Sequence, residues 1–263
     1  MSGNYGWGLP IAASTYAQDI DFGIRLIHYA MFTIFILWGI FFTYLLIRYR
    51  RRPGVAAERE KEHHGILSTS LMPDIIVMVF EIGLIVFYAI PVWSRIKTDF
   101  PDEKDSNRID IIAEQFAWNV HYPGKDGKFG KRDVKFIHFS NPIGLDRDDA
   151  AASDDVVMAN EIHLPLGKPT LIHLMSKDVI HSFFIPEFRI KQDAVPGMTI
   201  PVWVEPSLKG KYEVSCAQLC GFAHSVMRAD VYVDTPEEYD AWLAAQGQKA
   251  AAAAPKPKQD LGF

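Results

Sequence analysis

Cysteine is nearly absent from this chain: only two of its 263 residues are cysteine, Cys216 and Cys220, and both lie in the stretch VSCAQLCGFAHSVM. At most one disulfide can form within the chain. Residues 1–24 contain no Lys or Arg, and no basic segment followed by an apolar stretch and a small-residue cleavage site opens the sequence, so no removable signal peptide is expected. Neither a phosphate-binding glycine loop nor an internal repeat occurs. The net charge of −5, with no basic face on the later half, argues against nucleic acid as a partner.

What the chain does contain is unevenly spread. The run AMFTIFILWGIFFTYLLI, Ala30 to Ile47, carries no charge, and IIVMVFEIGLIVFYAIPVW, Ile75 to Trp93, carries only Glu81. Either run, as a helix, spans a bilayer core of about 30 Å, and neither shows the polar face that a buried soluble helix of that length would have. Between them crowd Arg48, Arg50, Arg51, Arg52, Arg59 and Lys61. By the positive-inside rule this loop is cytoplasmic, and both termini lie outside. Glu81 sits mid-span, where an ionisable group is costly. It is read either as protonated or hydrogen-bonded against a neighbouring helix, or as part of a proton path.

From Asn107 to Asp234 the texture changes to short alternating runs broken by Gly, Pro and Asp, the pattern of a β-sandwich or barrel. Thr235-Pro-Glu-Glu238 then reads as a helix start, with Thr235 as N-cap and Glu238 closing a capping box, and the helix is expected to run to about Gln246. The remaining Ala, Pro and Lys indicate a flexible tail. The expected organisation is an external segment 1–23, a transmembrane helical hairpin 24–95 with a cytoplasmic loop 49–73, a β domain 96–234, and a C-terminal helix and tail 235–263. The β domain should fold on the outer side of a bacterial-type inner membrane, a compartment that permits disulfides.

Three readings compete for the two cysteines: a disulfide, a zinc clasp, and a softer metal site. His224 and Met227 follow them, and His181 in DVIHSFF starts a strand that could end at the same place. Two thiolates, two imidazoles and a thioether suit copper, because a weak axial Met tunes copper potentials, whereas zinc has no need of it. A membrane-anchored copper chaperone or thiol oxidoreductase is the rival from another class. It would expose a reactive dithiol without the full set of nitrogen and sulfur donors.

The two apolar spans, DVIHSFFIPEFRIKQDAVPG and CAQLCGFAHSVM together resemble subunit II of cytochrome c oxidase, from about residue 20 to 245. The resemblance implies a two-helix transmembrane hairpin followed by an all-β cupredoxin-like barrel. It also implies a dinuclear CuA centre of two copper ions on His181, Cys216, Cys220, His224, Met227 and the carbonyl of Gln218. The implied partners are a catalytic haem–copper subunit, other membrane subunits, and cytochrome c or another c-type haem protein as donor. No C-x-x-C-H occurs, so the donor haem belongs to another protein. A CuA-bearing subunit of a nitric oxide reductase shares these features and is the alternative. Gln218 stands where many relatives have the Glu that helps bind magnesium, so no magnesium ligand is carried over. In QFAWNVHYP, relatives place the tryptophan that takes the electron from the donor where Phe116 stands here; the nearest indole is Trp118. Acidic LDRDDAAASDDVV, with Asp146, Asp148, Asp149, Asp154 and Asp155, is read as a solvated loop or a docking face for a basic cytochrome. His63 and His64 are read as solvated loop residues, and His121, His138, His163 and His173 as ordinary strand or loop residues.

Overall fold

The computed structural model describes residues 8–54 and 71–253; Arg59, Lys61, His63, His64 and the last ten residues lie outside the described residues. The chain divides into two units, one comprising Asp19–Asp99 and the other the residues before and after it.

The first unit is helical. Helix α1 covers Ala17–Arg48, starting before the expected residue 24. The second span runs from Met72 to Lys97 as α2 (Met72–Leu84), a π-helical turn (Ile85–Ala89) and α3 (Ile90–Lys97). Pro91 accounts for the interruption: it lacks the N–H that would close the preceding turn, and the chain widens so that Ile90 N–H bonds to the Ile85 carbonyl. Both spans are long and apolar enough to cross a membrane, and their apolar windows are not buried within the chain. They touch near one end. There Tyr88 donates to the Asp19 carbonyl, Arg95 pairs with Asp19, and Tyr88 fills the space over Gly23, where a Cβ would come within 2.9 Å of its ring. Glu81 is exposed on α2, as is most of the span.

The second unit is a sandwich of two five-stranded sheets. Strands β1 (Asn107–Glu114), β2 (Ala117–Tyr122), β3 (Val156–Ala159), β5 (Thr170–Ser176) and β8 (Ile200–Val204) form one sheet in the order β3-β2-β1-β5-β8. The other, ordered β4-β10-β9-β6-β7, contains β4 (Glu161–Pro165), β6 (His181–Ile185), β7 (Ile190–Ala194), β9 (Gly210–Cys216) and β10 (Arg228–Asp234). Alternation decides which side chains face inward: Ala229, Val231 and Val233 are buried on β10 while Asp230, Tyr232 and Asp234 are not. Trp118, Tyr122, Phe183, Phe188 and a set of Ile, Leu and Val fill the space between the sheets. Strands β3 and β7 are the ones least visible as alternating runs in the sequence. Both are edge strands, paired on one side only; β3 is just four residues long, and β7 carries Lys191, Gln192 and Asp193 in succession, so neither shows a strong alternating signature.

The segment expected to be external, residues 1–23, is tied to this unit over Ala13–Tyr16. Ala13 N–H bonds to Glu187, Thr15 N–H to Glu205, Ser14 Oγ to Phe188 and Tyr16 Oη to Trp203, with Tyr16 fully buried. At the other end α4 (Pro236–Ala253) begins at the capping box: Glu238 N–H reaches Thr235 Oγ1 at 3.3 Å, and Thr235 N–H reaches Glu238 Oε2 at 3.0 Å. The helix outlasts the expected end at Gln246 because the Ala-rich run that follows has the highest helix propensity. Trp242 of α4 stacks on His163 with centroids 3.9 Å apart.

Candidate metal centre

Strand pairing brings the donors together. Phe183 on β6 stands opposite Cys216 on β9, which places His181, two residues earlier, at the end of the sandwich where β9 finishes. Cys216 N–H bonds to the Met227 carbonyl at 3.1 Å where β10 begins, so the β9–β10 loop closes on itself. Ala217 N–H ties that loop to Ser182 of β6. Gly221 supplies the turn with φ +139, a conformation that side chains disfavour. A single 3₁₀ turn over His224–Val226 then returns the chain to the barrel.

The donor atoms converge accordingly. One ligand atom from each of His181, Cys216 and Cys220 lies within 4.8 Å of the others, and all three residues are buried. The two sulfurs are 3.8 Å apart and both cysteines are free. Cys220 Sγ lies 3.6 Å from His224 Nδ1 and 3.8 Å from Met227 Sδ, while Cys216 Sγ lies 3.2 Å from the Gln218 carbonyl oxygen. His181 Nε2 is held by Asp178 Oδ1 at 2.8 Å, and its buried Nδ1 has no hydrogen-bond partner. With the proton fixed on Nε2, Nδ1 presents a lone pair.

Electrostatics make this a place for a cation. Burial, with the adjacent Cys216 adding to it, pushes the Cys220 thiol up to about 11. Two sulfurs this close in a dry pocket resist ionising together, so a metal that took both as thiolates would displace protons. Burial would also raise the Asp178 carboxyl, but hydrogen bonds from His181, Gln115 N–H and Val179 N–H hold it below the ordinary carboxylate range. Unpartnered nitrogen, paired thiols and a thioether in one buried cluster fit a soft metal such as copper. The Gln218 carbonyl oxygen borders the cluster, beside Cys216 Sγ.

The other residues singled out in the sequence separate. Trp118 is fully buried, edge-on to His181 at 6.1 Å and to Phe183 at 5.6 Å, and is part of the core. Phe116 is half-buried in the β1–β2 turn and meets the exposed ring of Phe222 edge-on at 4.9 Å. Four of the five aspartates of the acidic stretch are wholly or partly withdrawn from solvent. Asp155 is wholly buried against His121 Nε2 at 2.6 Å and Gly130 N–H at 2.8 Å. Asp154 accepts from Lys125 N–H at 2.6 Å and Asp149 from Lys131 N–H at 2.9 Å, and of the five aspartates only Asp148 is exposed. Asp149, Asp154 and Asp155 thus help to fold the segment, whose Leu145 and Ala152 join a core with Ile112 and Ile143. The remaining described histidines of the barrel are similarly engaged: His163 with Asp234, His173 with Asp110 and His138 with Ser140. Sequence reasoning missed Asp178 and Gln115. The first stands three residues before His181, a spacing that could have been read as a histidine with its carboxylate partner; the second had no local signal.

A family model described as cytochrome C oxidase subunit II, periplasmic domain, matches residues 108–233. The alternative cytochrome c oxidase subunit 2 of Bradyrhizobium diazoefficiens is 37% identical over 244 residues, 91% of this chain and 84% of that protein. Cytochrome c oxidase subunit 2 of Synechocystis is 29% identical over 277 residues, 97% of this chain and 78% of the relative. Among solved structures, the periplasmic domain of subunit II of cytochrome oxidase from Bradyrhizobium japonicum is 26% identical, covering 57% of this chain and 99% of its own, with a TM-score of 0.43.

Proposed function

Since this chain belongs to the cytochrome c oxidase subunit II family, we propose that it is the subunit through which electrons enter a membrane-bound terminal oxidase. It takes them from cytochrome c or another c-type haem protein and delivers them to haem in the catalytic subunit, where oxygen is reduced to water. The two spans anchor it in a bacterial-type inner membrane, and the basic loop between them faces the cytoplasm, which leaves the barrel and both termini outside. The chain works alongside the catalytic haem–copper subunit and other membrane subunits.

Two copper ions are the proposed cofactor, and the thiolates of Cys216 and Cys220, the imidazoles of His181 and His224, the Met227 thioether and the Gln218 carbonyl would hold them. Bound there, copper supplies one-electron redox chemistry. The chain's own part is to keep the site rigid and dry. Cys216, Cys220, Met227 and His181 are buried, and Cys216 and Met227 are locked by strand hydrogen bonds, so a change of charge requires little rearrangement. Donor docking is assigned to the surface around Phe116 and Phe222, where the ring of Phe222 stands fully open and the Gln115–Phe116 turn reaches the Cys220 loop.

The observation that carries this reading is the buried His181 Nδ1, unpartnered beside two free thiols. Copper content and electron paramagnetic resonance of the full-length chain in detergent test it. Two coppers per chain with a signal shared over both is the expected result; one copper or none would defeat it. Consumption of oxygen rather than nitric oxide by the whole complex tests the acceptor.

A further inference from the structure

The turn joining β1 to β2 supplies no donor atom to the cluster, yet it touches both loops that do. Gln115 N–H donates to Asp178 Oδ2 at 2.7 Å, and Asp178 holds the His181 ring through its other oxygen at 2.8 Å. The side chain of the same residue points the other way, its Nε2 donating to the Cys220 carbonyl. Next to Cys220 the chain passes so close that a Cβ on Gly221 would come within 2.9 Å of Gln115 Nε2 and 3.0 Å of Phe116 Cζ. Phe222 closes the contact by packing edge-on against Phe116 at 4.9 Å. One residue therefore bridges the two arms of the cluster, the histidine arm through its main chain and the thiol arm through its side chain.

We propose that Gln115 is a positioning residue for the metal centre, one that couples the His181 loop to the Cys216–Cys220 loop and thereby sets how tightly copper is held and at what potential. The proposal rests on the copper reading above. Its physical basis is that a metal's affinity and potential depend on how firmly neighbouring groups hold its ligands, and loss of such a group commonly costs tenfold or more in affinity. Gln115 is placed to do this for both arms at once. The amide donor can be removed without disturbing the main-chain bond to Asp178.

Gln115→Leu deletes the amide donor at similar size, and Gln115→Glu keeps the shape while replacing the donor with an acceptor facing the Cys220 carbonyl. In the full-length, copper-loaded chain, each variant is expected to release copper to a competing chelator about tenfold faster than wild type. The reduction potential should move, and the copper hyperfine pattern should change. Thermal unfolding of the metal-free variants should match that of the metal-free wild type, which a merely structural role would alter. Wild-type release and potential in either folded variant would overturn the inference, as would a lowered metal-free melting temperature accompanied by an unchanged potential. A wild-type chain that takes up no copper would instead overturn the copper reading, and this inference with it.

Discussion

Two histidines in the barrel are wholly buried, each with its Nε2 on an aspartate and its Nδ1 without a hydrogen-bond partner: His181 on Asp178 at 2.8 Å and His121 on Asp155 at 2.6 Å. Considered alone the pairs are nearly interchangeable. Their surroundings are not: His181 faces Cys216 and Cys220, whereas the ring of His121 packs edge-on against Phe129 at 5.0 Å. The carboxylates differ as well, since Asp178 is reached by the turn next to the thiol loop and Asp155 by Gly130 N–H, from an earlier part of the β2–β3 connection. A buried histidine with an oriented ring becomes a metal site only where soft donors share its pocket; elsewhere the same pair holds a loop to the core.

The largest expected effect breaks the first pair's surroundings. Cys220→Ser should abolish the shared-copper signal and reduce electron uptake from a c-type haem donor to background, measured by metal content and stopped-flow reduction. Copper uptake equal to wild type would show that the cluster is not the site. Next, Asp155→Ala leaves His121 without its carboxylate and should cost about 3 kcal/mol or more of stability in denaturant unfolding, with the copper spectrum of the folded fraction unchanged. A changed copper spectrum would mean that the two pairs are coupled rather than separate.

The smallest effect comes from a third pair, at the surface, where His173 Nδ1 meets Asp110 Oδ1 at 3.1 Å. That hydrogen bond raises the histidine above its ordinary value, with burial opposing it. Its contribution is therefore complete below about pH 6.5 and fades as pH climbs through the raised folded-state value. Because the ring is one-third exposed, His173→Gln should cost no more than about 0.5 kcal/mol below pH 6 and nothing above pH 9, read from urea midpoints across that range. An equal cost at both ends would remove the ion pair from the account.

Legibility in the sequence followed the range of the interactions. Both spans were plain because an uncharged run declares itself residue by residue, and the Thr235–Glu238 box because its partners are three residues apart. The pattern Cys216, Cys220, His224, Met227 could be read as a donor set since one loop carries all four. Illegible were the features that needed a distant partner. The aspartates of the acidic stretch looked solvated because nothing local shows that Asp155 lies against His121, or Asp154 against the Lys125 turn. Trp118 and Phe116 are two residues apart, yet Trp118 lies within β2 and is buried in the core, whereas Phe116 precedes the strand in the β1–β2 turn and stays half-exposed.

The sequence by itself determined the two apolar helices, the alternating strands and the spacing of the soft donors, because each depends on neighbours within a turn or a pleat. Tertiary structure alone decided that β6 lies beside β9, bringing His181 to the thiols, and that the β1–β2 turn reaches Asp178 and Cys220. Strand register and the hydrogen bonds between loops join residues far apart in the chain, and a side chain's role there depends on the partner that folding delivers to it.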